Sequence, residues 1–455
     1  MNDIVNYIET NKDRFLAELV DFLKIPSVSS VTAHNKDMAR CATWVSDSMR
    51  KAGMHNVEIL ETGGHPVVYS EWLEAGDDKP TILIYGHYDV QPVDPLQLWD
   101  SPPFEPVIKN GKIFARGTAD DKGQLFTHIK AIEALMQTEG KLPCNVKLMI
   151  EGEEECGSSH LDDYIVNNAE KLKCDYVIVS DTEWYAEGLP TICYALRGIC
   201  YTELTVTGPN RDLHSGSFGG AVDNPIHVLC KMIEQLWDEN GKLAIPGLYD
   251  NVTELTQQER DAFKKLPYNE AKYMEDLGVE ALNGEKGFTT LERTWGRPAL
   301  DVNGIYGGYI AEGAKTVLPS VATAKISIRL VAKQSSKEVY ELLNKYIQQI
   351  APKTVKAELT YLHGGEPVVV DMNTKPIKAC ERAMKQAFGV DPVYMREGGS
   401  IGIVALFGSA LNAPTVLMGL GLPTDNIHSP NENFALDNFY GGIKASAFFL
   451  HEISK

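Results

Sequence analysis

Four short apolar runs alternate with segments of helical spacing: Thr81-Ile82-Leu83-Ile84-Tyr85, Val146-Lys147-Leu148-Met149-Ile150, Tyr176-Val177-Ile178-Val179 and Thr415-Val416-Leu417-Met418. Runs of this length read as strands buried on both faces. Their alternation with helices predicts an α/β layer around a mainly parallel sheet. In such a sheet the loops at the strand carboxyl ends carry the chemistry. The chain's ligand-type residues stand at those ends. His87 and Asp89 follow the first run, Glu153-Glu154-Glu155 the second, and Asp181 ends the third. His428 comes soon after the fourth, and Asp120 precedes the helix that starts near Gln124.

A chain of 455 residues is too long for one ordinary core, so two domains are expected. The pattern changes near Leu196. Tyr201–Val206 and Ala324–Leu330 alternate, as strands with one solvated face do. Helices are expected near Ala221–Leu236 and Lys337–Ile350, and a strand at Lys356–Tyr361. After Thr374 the helix–strand alternation returns. The division is therefore 1–195 and 371–455 for the α/β domain, with an inserted α+β domain at 196–370. In the first domain, helices are expected through Phe15–Leu23, Asp37–Ala52 and Gln124–Met136. The polar stretch from Asp238 to Leu291 is assigned only weakly, and Gln257–Glu292 carries no usable motif.

The 62 acidic residues against 43 basic, net charge -19, exclude a nucleic-acid or anionic-membrane surface as the main function. No signal peptide and no membrane span of about 18 apolar residues is visible. Eight scattered cysteines without a CxxC pair read as reduced thiols of a cytoplasmic protein.

Each candidate has a plain alternative. Three successive glutamates can be a solvated acidic loop, yet such crowding at a buried strand end is unfavourable unless cations or protons offset it. An aspartate before a helix is often only a cap. Cys156 can be a soft ligand or a small residue filling a tight turn. The strand ends together give His87, Asp120, Glu154, Glu155, Asp181 and His428. Two histidines with several carboxylates suit zinc, and also manganese or cobalt. They exceed one tetrahedral site. Two ions sharing a carboxylate, about 3.5–4 Å apart, account for them and leave one carboxylate as general base.

Gly86-His87-Tyr88-Asp89-Val90, Gly117 to Gly123, Glu154 to Ser158, Ser180-Asp181 and the late His428 resemble, in order and nearly end to end, the cocatalytic dinuclear metallopeptidases of the aminoacylase and carboxypeptidase G type. Leu196 to Tyr201, Asp212 to Gly216, Gly313 to Pro319, Ser327 to Val331 and Arg396 to Ser400 bring the resemblance closer to the cytosolic nonspecific dipeptidases and carnosinases. The resemblance implies a zinc-peptidase-like three-layer αβα catalytic domain with an inserted α+β lid and dimerisation domain, hence a homodimer.

It also implies two divalent ions, zinc or manganese. His87, Asp120 and Asp181 would hold one; Asp120, Glu155 and His428 would hold the other. Asp89 would orient His87, and Glu154 would be the base acting on a metal-bridging water. The family carries a cis bond at the Asp120–Asp121 position. His214 would reach the partner subunit's site, and Thr316, Arg329, His363 and Ser400 match substrate contacts. Arg329 suits a terminal carboxylate, though a strand arginine can also point to solvent, and His363 can be an ordinary turn residue.

The expected function is metal-dependent cleavage of dipeptides or short peptides. An N-acyl-amino-acid deacylase, such as a deacetylase or desuccinylase, would use the same metal core. A noncatalytic scaffold on the same fold would tolerate replacement of Glu154 or His428, and neither is replaced. Tyr88 and Gln91, beside the first motif, have no role assignable from the resemblance.

Overall fold

The computed structural model of the protein describes residues 1–399 and 401–455. It divides into two compact units. One comprises Met1–Tyr194, Val370–Met395 and Leu406–Lys455; the other comprises Ala195–Val369 and Arg396–Ala405.

The first unit is built on a mixed sheet in the order His55–Leu60, Val67–Trp72, Asn145–Glu151, Thr81–His87, Tyr176–Val179, Thr415–Leu417 and Thr191–Leu196. The four middle strands, which contain the apolar runs of the sequence, are mutually parallel. The flanking strands are antiparallel, including the hairpin His55–Leu60/Val67–Trp72, which the sequence pattern did not announce. All seven residues of Asn145–Glu151 are buried, as strands covered on both faces require.

The helix Lys122–Glu139 leaves the carboxyl-end side of this sheet, and Lys122 to Leu135 are buried without interruption. A helix with no solvated face is possible because its cations find partners. The Lys122 ammonium donates to the Ile25 carbonyl at 2.7 Å and lies over the Phe22 ring. Lys130 pairs with Glu133 and Glu18. The helices Asn35–Ala52 and Leu436–Ile453 pack on it. The first begins two residues before its expected start and stops at Gly53, whose φ of +97° suits a residue without a Cβ. The helix expected through Phe15–Leu23 spans Lys12–Leu23, and another, Asn2–Thr10, precedes it.

The second unit holds a four-stranded antiparallel sheet in the order Ala299–Gly307, Val321–Leu330, Gly198–Thr207 and Lys356–Gly365. Burial alternates residue by residue along Gly198–Thr207. The helices Pro225–Glu234 and Ser336–Ile350 cover one face, closing a core with Cys200, Leu204, Val206, Ala324, Ile326 and Ile328. The weakly assigned polar stretch contains three short helices, Gln257–Phe263, Glu270–Leu277 and Thr290–Gly296.

Candidate metal centre

The carboxyl ends of the parallel strands bring their acidic and imidazole groups into two triads. His87, Asp120 and Asp181 form one; Asp120, Glu155 and His428 form the other, and ligand-type atoms within each lie inside 4.8 Å of one another. Asp120 belongs to both. His87 Nε2 lies 3.1 Å from Asp120 Oδ1 and 3.8 Å from Asp181 Oδ2. His428 Nε2 lies 2.9 Å from Asp120 Oδ2 and 3.2 Å from Glu155 Oε2. The two oxygens of Asp120 thus face different histidines, as a bridging carboxylate requires.

His87 is fully buried, and its Nε2 has no hydrogen-bond partner among the described residues although two carboxylates stand near it. An orphaned ring nitrogen facing carboxylates fits a divalent cation between them. The electrostatics agree. Burial raises Asp181 well above the usual carboxylate range, and the Asp120 and Asp121 charges add to it. Burial likewise raises Glu155. Hydrogen bonding to Asp120 and Glu155 lifts His428 to about 10. Groups this crowded hold protons where cations would otherwise sit.

The backbone specifies this arrangement. The Asp120–Asp121 peptide is cis. Asp121 Oδ2 accepts the His87 N–H at 3.2 Å, joining two ligand loops. His428 has φ +60°, a left-handed conformation that costs a non-glycine residue about 1–2 kcal/mol. Asp425 steadies that loop by accepting the Leu422 N–H at 2.8 Å.

Asp89 does more than its expected part. His87 Nδ1 donates to the Asp89 carbonyl at 3.1 Å and lies 3.4 Å from its carboxylate. The same carboxylate accepts the N–H groups of Glu154 at 3.3 Å and Glu155 at 3.0 Å. One buried residue, through its carbonyl and its carboxylate, therefore orients a histidine and the acidic turn together. Burial pushes Glu154 up to about 7, the range of a working general base, with the Glu155 and Asp120 charges adding to it.

The remaining glutamates of the acidic run are separately held. Glu151 accepts hydroxyl hydrogens from Tyr85 and Ser158, and Glu153 meets His160 Nδ1 at 2.9 Å. Cys156 stands outside both triads and donates its thiol to the Glu153 carbonyl. The two residues left without a role are also placed. Gln91 Nε2 donates to Glu155 Oε2 at 2.8 Å, and Tyr88 packs its ring against Gly152, where a Cβ would come within 2.4 Å of it.

Sequence reasoning missed Glu432. It is fully buried and accepts N–H groups from Gly117 and Ala119 at 2.9 Å and Asp120 at 3.2 Å, with Arg116 Nη1 at 2.8 Å. It therefore ties the Asp120 loop to the loop that bears His428. Breaking such a buried pair by removing one partner costs about 3–5 kcal/mol.

The second unit carries the other candidates. His214 and Thr316 are exposed on a two-strand ribbon in which Leu213 pairs with Leu318 and His214 with Val317. His214 Nδ1 accepts the Gly216 N–H at 3.0 Å, so the neutral ring carries its proton on Nε2. Arg329 is half-buried on the sheet face opposite the helices. Burial and the Arg329 charge together lower neighbouring Arg197 to about 10. His363 stacks on Tyr201 with ring centroids 5.0 Å apart, so it belongs to a strand rather than to an ordinary turn. Ser400 lies outside the described residues.

The model of peptidase family M20/M25/M40 matches residues 83–452. The Cys-Gly metallodipeptidase dug1 of Schizosaccharomyces pombe is 34% identical over 100% of this chain and 98% of its own length. The Beta-Ala-His dipeptidase of Mus musculus is 29% identical, covering 100% of this chain and 96% of its own. Among solved structures, the family M20 metallo-carboxypeptidase Sso-CP2 from Sulfolobus solfataricus is 35% identical with a TM-score of 0.85, over 97% of this chain and 99% of that one.

Proposed function

This chain belongs to peptidase family M20/M25/M40 and is a metal-dependent dipeptidase, and on that premise we propose how its residues divide the work. His87, Asp120 and Asp181 hold one divalent ion, and Asp120, Glu155 and His428 hold the other. The single observation that carries this reading is the shared carboxylate, whose two oxygens face the two histidines. Zinc or manganese fits the mixed nitrogen and oxygen donors. When bound, the ions supply Lewis acidity and make a water acidic enough to lose its proton near neutral pH.

Glu154 takes the proton of the attacking water and later returns it to the leaving nitrogen. Asp89 fixes the His87 tautomer and the backbone of the acidic turn, so that base and ligand keep their separate directions. In the second unit, Arg329 pairs with the substrate's terminal carboxylate, and Thr316, His363 and Ser400 complete the contacts. A dipeptide offers a free ammonium, a scissile amide and a carboxylate. Testing it beside N-acetyl amino acids and longer peptides with the metal-loaded enzyme separates the peptidase from the deacylase. Dipeptides are expected to dominate kcat/KM; preferential turnover of N-acyl amino acids overturns the reading.

A homodimer through the lid is supported by the edge strand Ala299–Gly307, where Ile305 and Tyr306 are exposed, and by Ile310, which is 86% exposed. Unpaired apolar edges are surfaces for strand addition and burial. His214, whose Nε2 carries the proton, serves the partner subunit's site by hydrogen-bonding the developing oxyanion. Mixing His214→Ala with Glu154→Gln subunits then recovers activity that neither variant has alone, because one composite site in each heterodimer is intact. Inactive isolated heterodimers argue against the shared site. A cytoplasmic location belongs to the same reading, since eight scattered cysteines without a CxxC pair suit a reducing compartment.

A further inference from the structure

The segment Gln257–Glu292, which no motif explains, is a built piece of the second unit. Two capping boxes start its first and third helices, Thr256 with Glu259 and Thr289 with Glu292. An ion pair between Arg260 and Glu292 joins those helices, and the Phe263 and Trp295 rings meet edge to face at 5.0 Å. Arg297 closes the base on Glu285 at 2.7 Å and Glu254 at 2.9 Å. A carboxylate of the segment reaches beyond it, to the run at 396–399.

That carboxylate is Glu259. Its Oε2 accepts the Thr256 N–H at 2.7 Å, and its Oε1 forms an ion pair with Arg396. Both side chains are buried, 9% and 5% exposed. Arg396 opens the run Arg396-Glu397-Gly398-Gly399, which leads directly to Ser400. The run is also held from its other side. The Arg197 N–H donates to the carbonyls of Glu397 at 3.3 Å and Gly399 at 3.1 Å, and Arg197 Nε donates to that of Gly398 at 3.2 Å. A Cβ on Gly398 would come within 3.0 Å of Arg197 Nη2. Two consecutive glycines have more conformational freedom than any other pair, so a run containing them is fixed only by what grips it.

We propose that Glu259 is a positioning residue for substrate binding: through Arg396 it braces the glycine run, and the helices 257–292 exist to hold that brace. The inference rests on the reading that Ser400 contacts substrate. Bracing a binding loop lowers the ordering cost at each binding event and so acts on KM more than on kcat.

The test compares three variants of the metal-loaded enzyme on the same dipeptides. Glu259→Gln keeps the shape and removes the charge; it is expected to raise KM about tenfold, the loss of a charge-assisted hydrogen bond, with kcat within about twofold and metal content unchanged. Arg260→Gln breaks the pair with Glu292 without touching Arg396; it is expected to lower Tm at least as much and leave KM unchanged. Ser400→Ala reads the contact itself. A KM rise in Ser400→Ala with none in Glu259→Gln, or equal KM values for Glu259→Gln and Arg260→Gln, overturns the brace alone. No KM change in Ser400→Ala overturns the substrate reading and the brace with it. Should Glu259→Gln be insoluble, Arg396→Lys, which keeps the cation and loses the planar fork, gives the same split.

Discussion

Stripping divalent ions with a chelator abolishes dipeptide hydrolysis, and zinc or manganese restores it. Carboxylates at Asp120, Glu155 and Asp181 crowd two imidazoles, and His87 Nε2 is left without a hydrogen-bond partner among the described residues. The two histidines of the triads face carboxylates already, so neither is left to stabilise negative charge on a reacting amide. Activity in the chelated enzyme should fall at least a hundredfold, since a water with an ordinary pKa is a poor nucleophile at neutral pH. Stability should fall as well. An ion present at about a thousand times its Kd contributes roughly 4 kcal/mol, so the chelated protein should melt several degrees lower. Elemental analysis must confirm that the ions are gone. Full turnover in protein shown to be metal-free would refute the mechanism.

The centre was legible because buried parallel strands deliver their loops to one edge, and apolar runs are easy to see. Thr81–Tyr85, Val146–Ile150 and Tyr176–Val179 fix where His87, the acidic run and Asp181 must emerge. What holds those ligands was not legible. Glu432 follows His428 by four residues in a loop rich in asparagine and proline, which reads as solvated. Only the fold turns it inward onto three backbone N–H groups. Gln91 is similar, since its partner Glu155 is 64 residues away. The polar stretch after Asp238 was read too cautiously. Thr256-x-x-Glu259 and Thr289-x-x-Glu292 are capping-box signatures, and both start helices in the structure. The hairpin His55–Trp72 escaped because half of it is exposed, with little apolar pattern to follow.

Glu154→Gln and Glu155→Gln are chemically the same change one residue apart, and they should have different consequences. Both backbone N–H groups are held by the Asp89 carboxylate, so neither substitution removes what positions the turn. The side chains differ. Glu155 lies 3.2 Å from His428 Nε2 and accepts from Gln91, which places it among donor atoms of the second triad. Glu154 belongs to neither triad and is pushed up to about 7 by burial. Glu154→Gln is therefore expected to retain both ions and lose turnover by roughly 10²–10⁴, the usual contribution of a positioned acid–base group, with little change in KM. Glu155→Gln replaces an anionic oxygen donor by a neutral amide. It is expected to weaken one ion of the two and to regain part of its activity when that metal is supplied in excess. Titrating each variant with zinc or manganese while following stoichiometry and rate separates the two outcomes. If both lose an ion, or if excess metal rescues both, the division of base from ligand is wrong, because a residue that acts only on protons has no reason to respond to metal concentration.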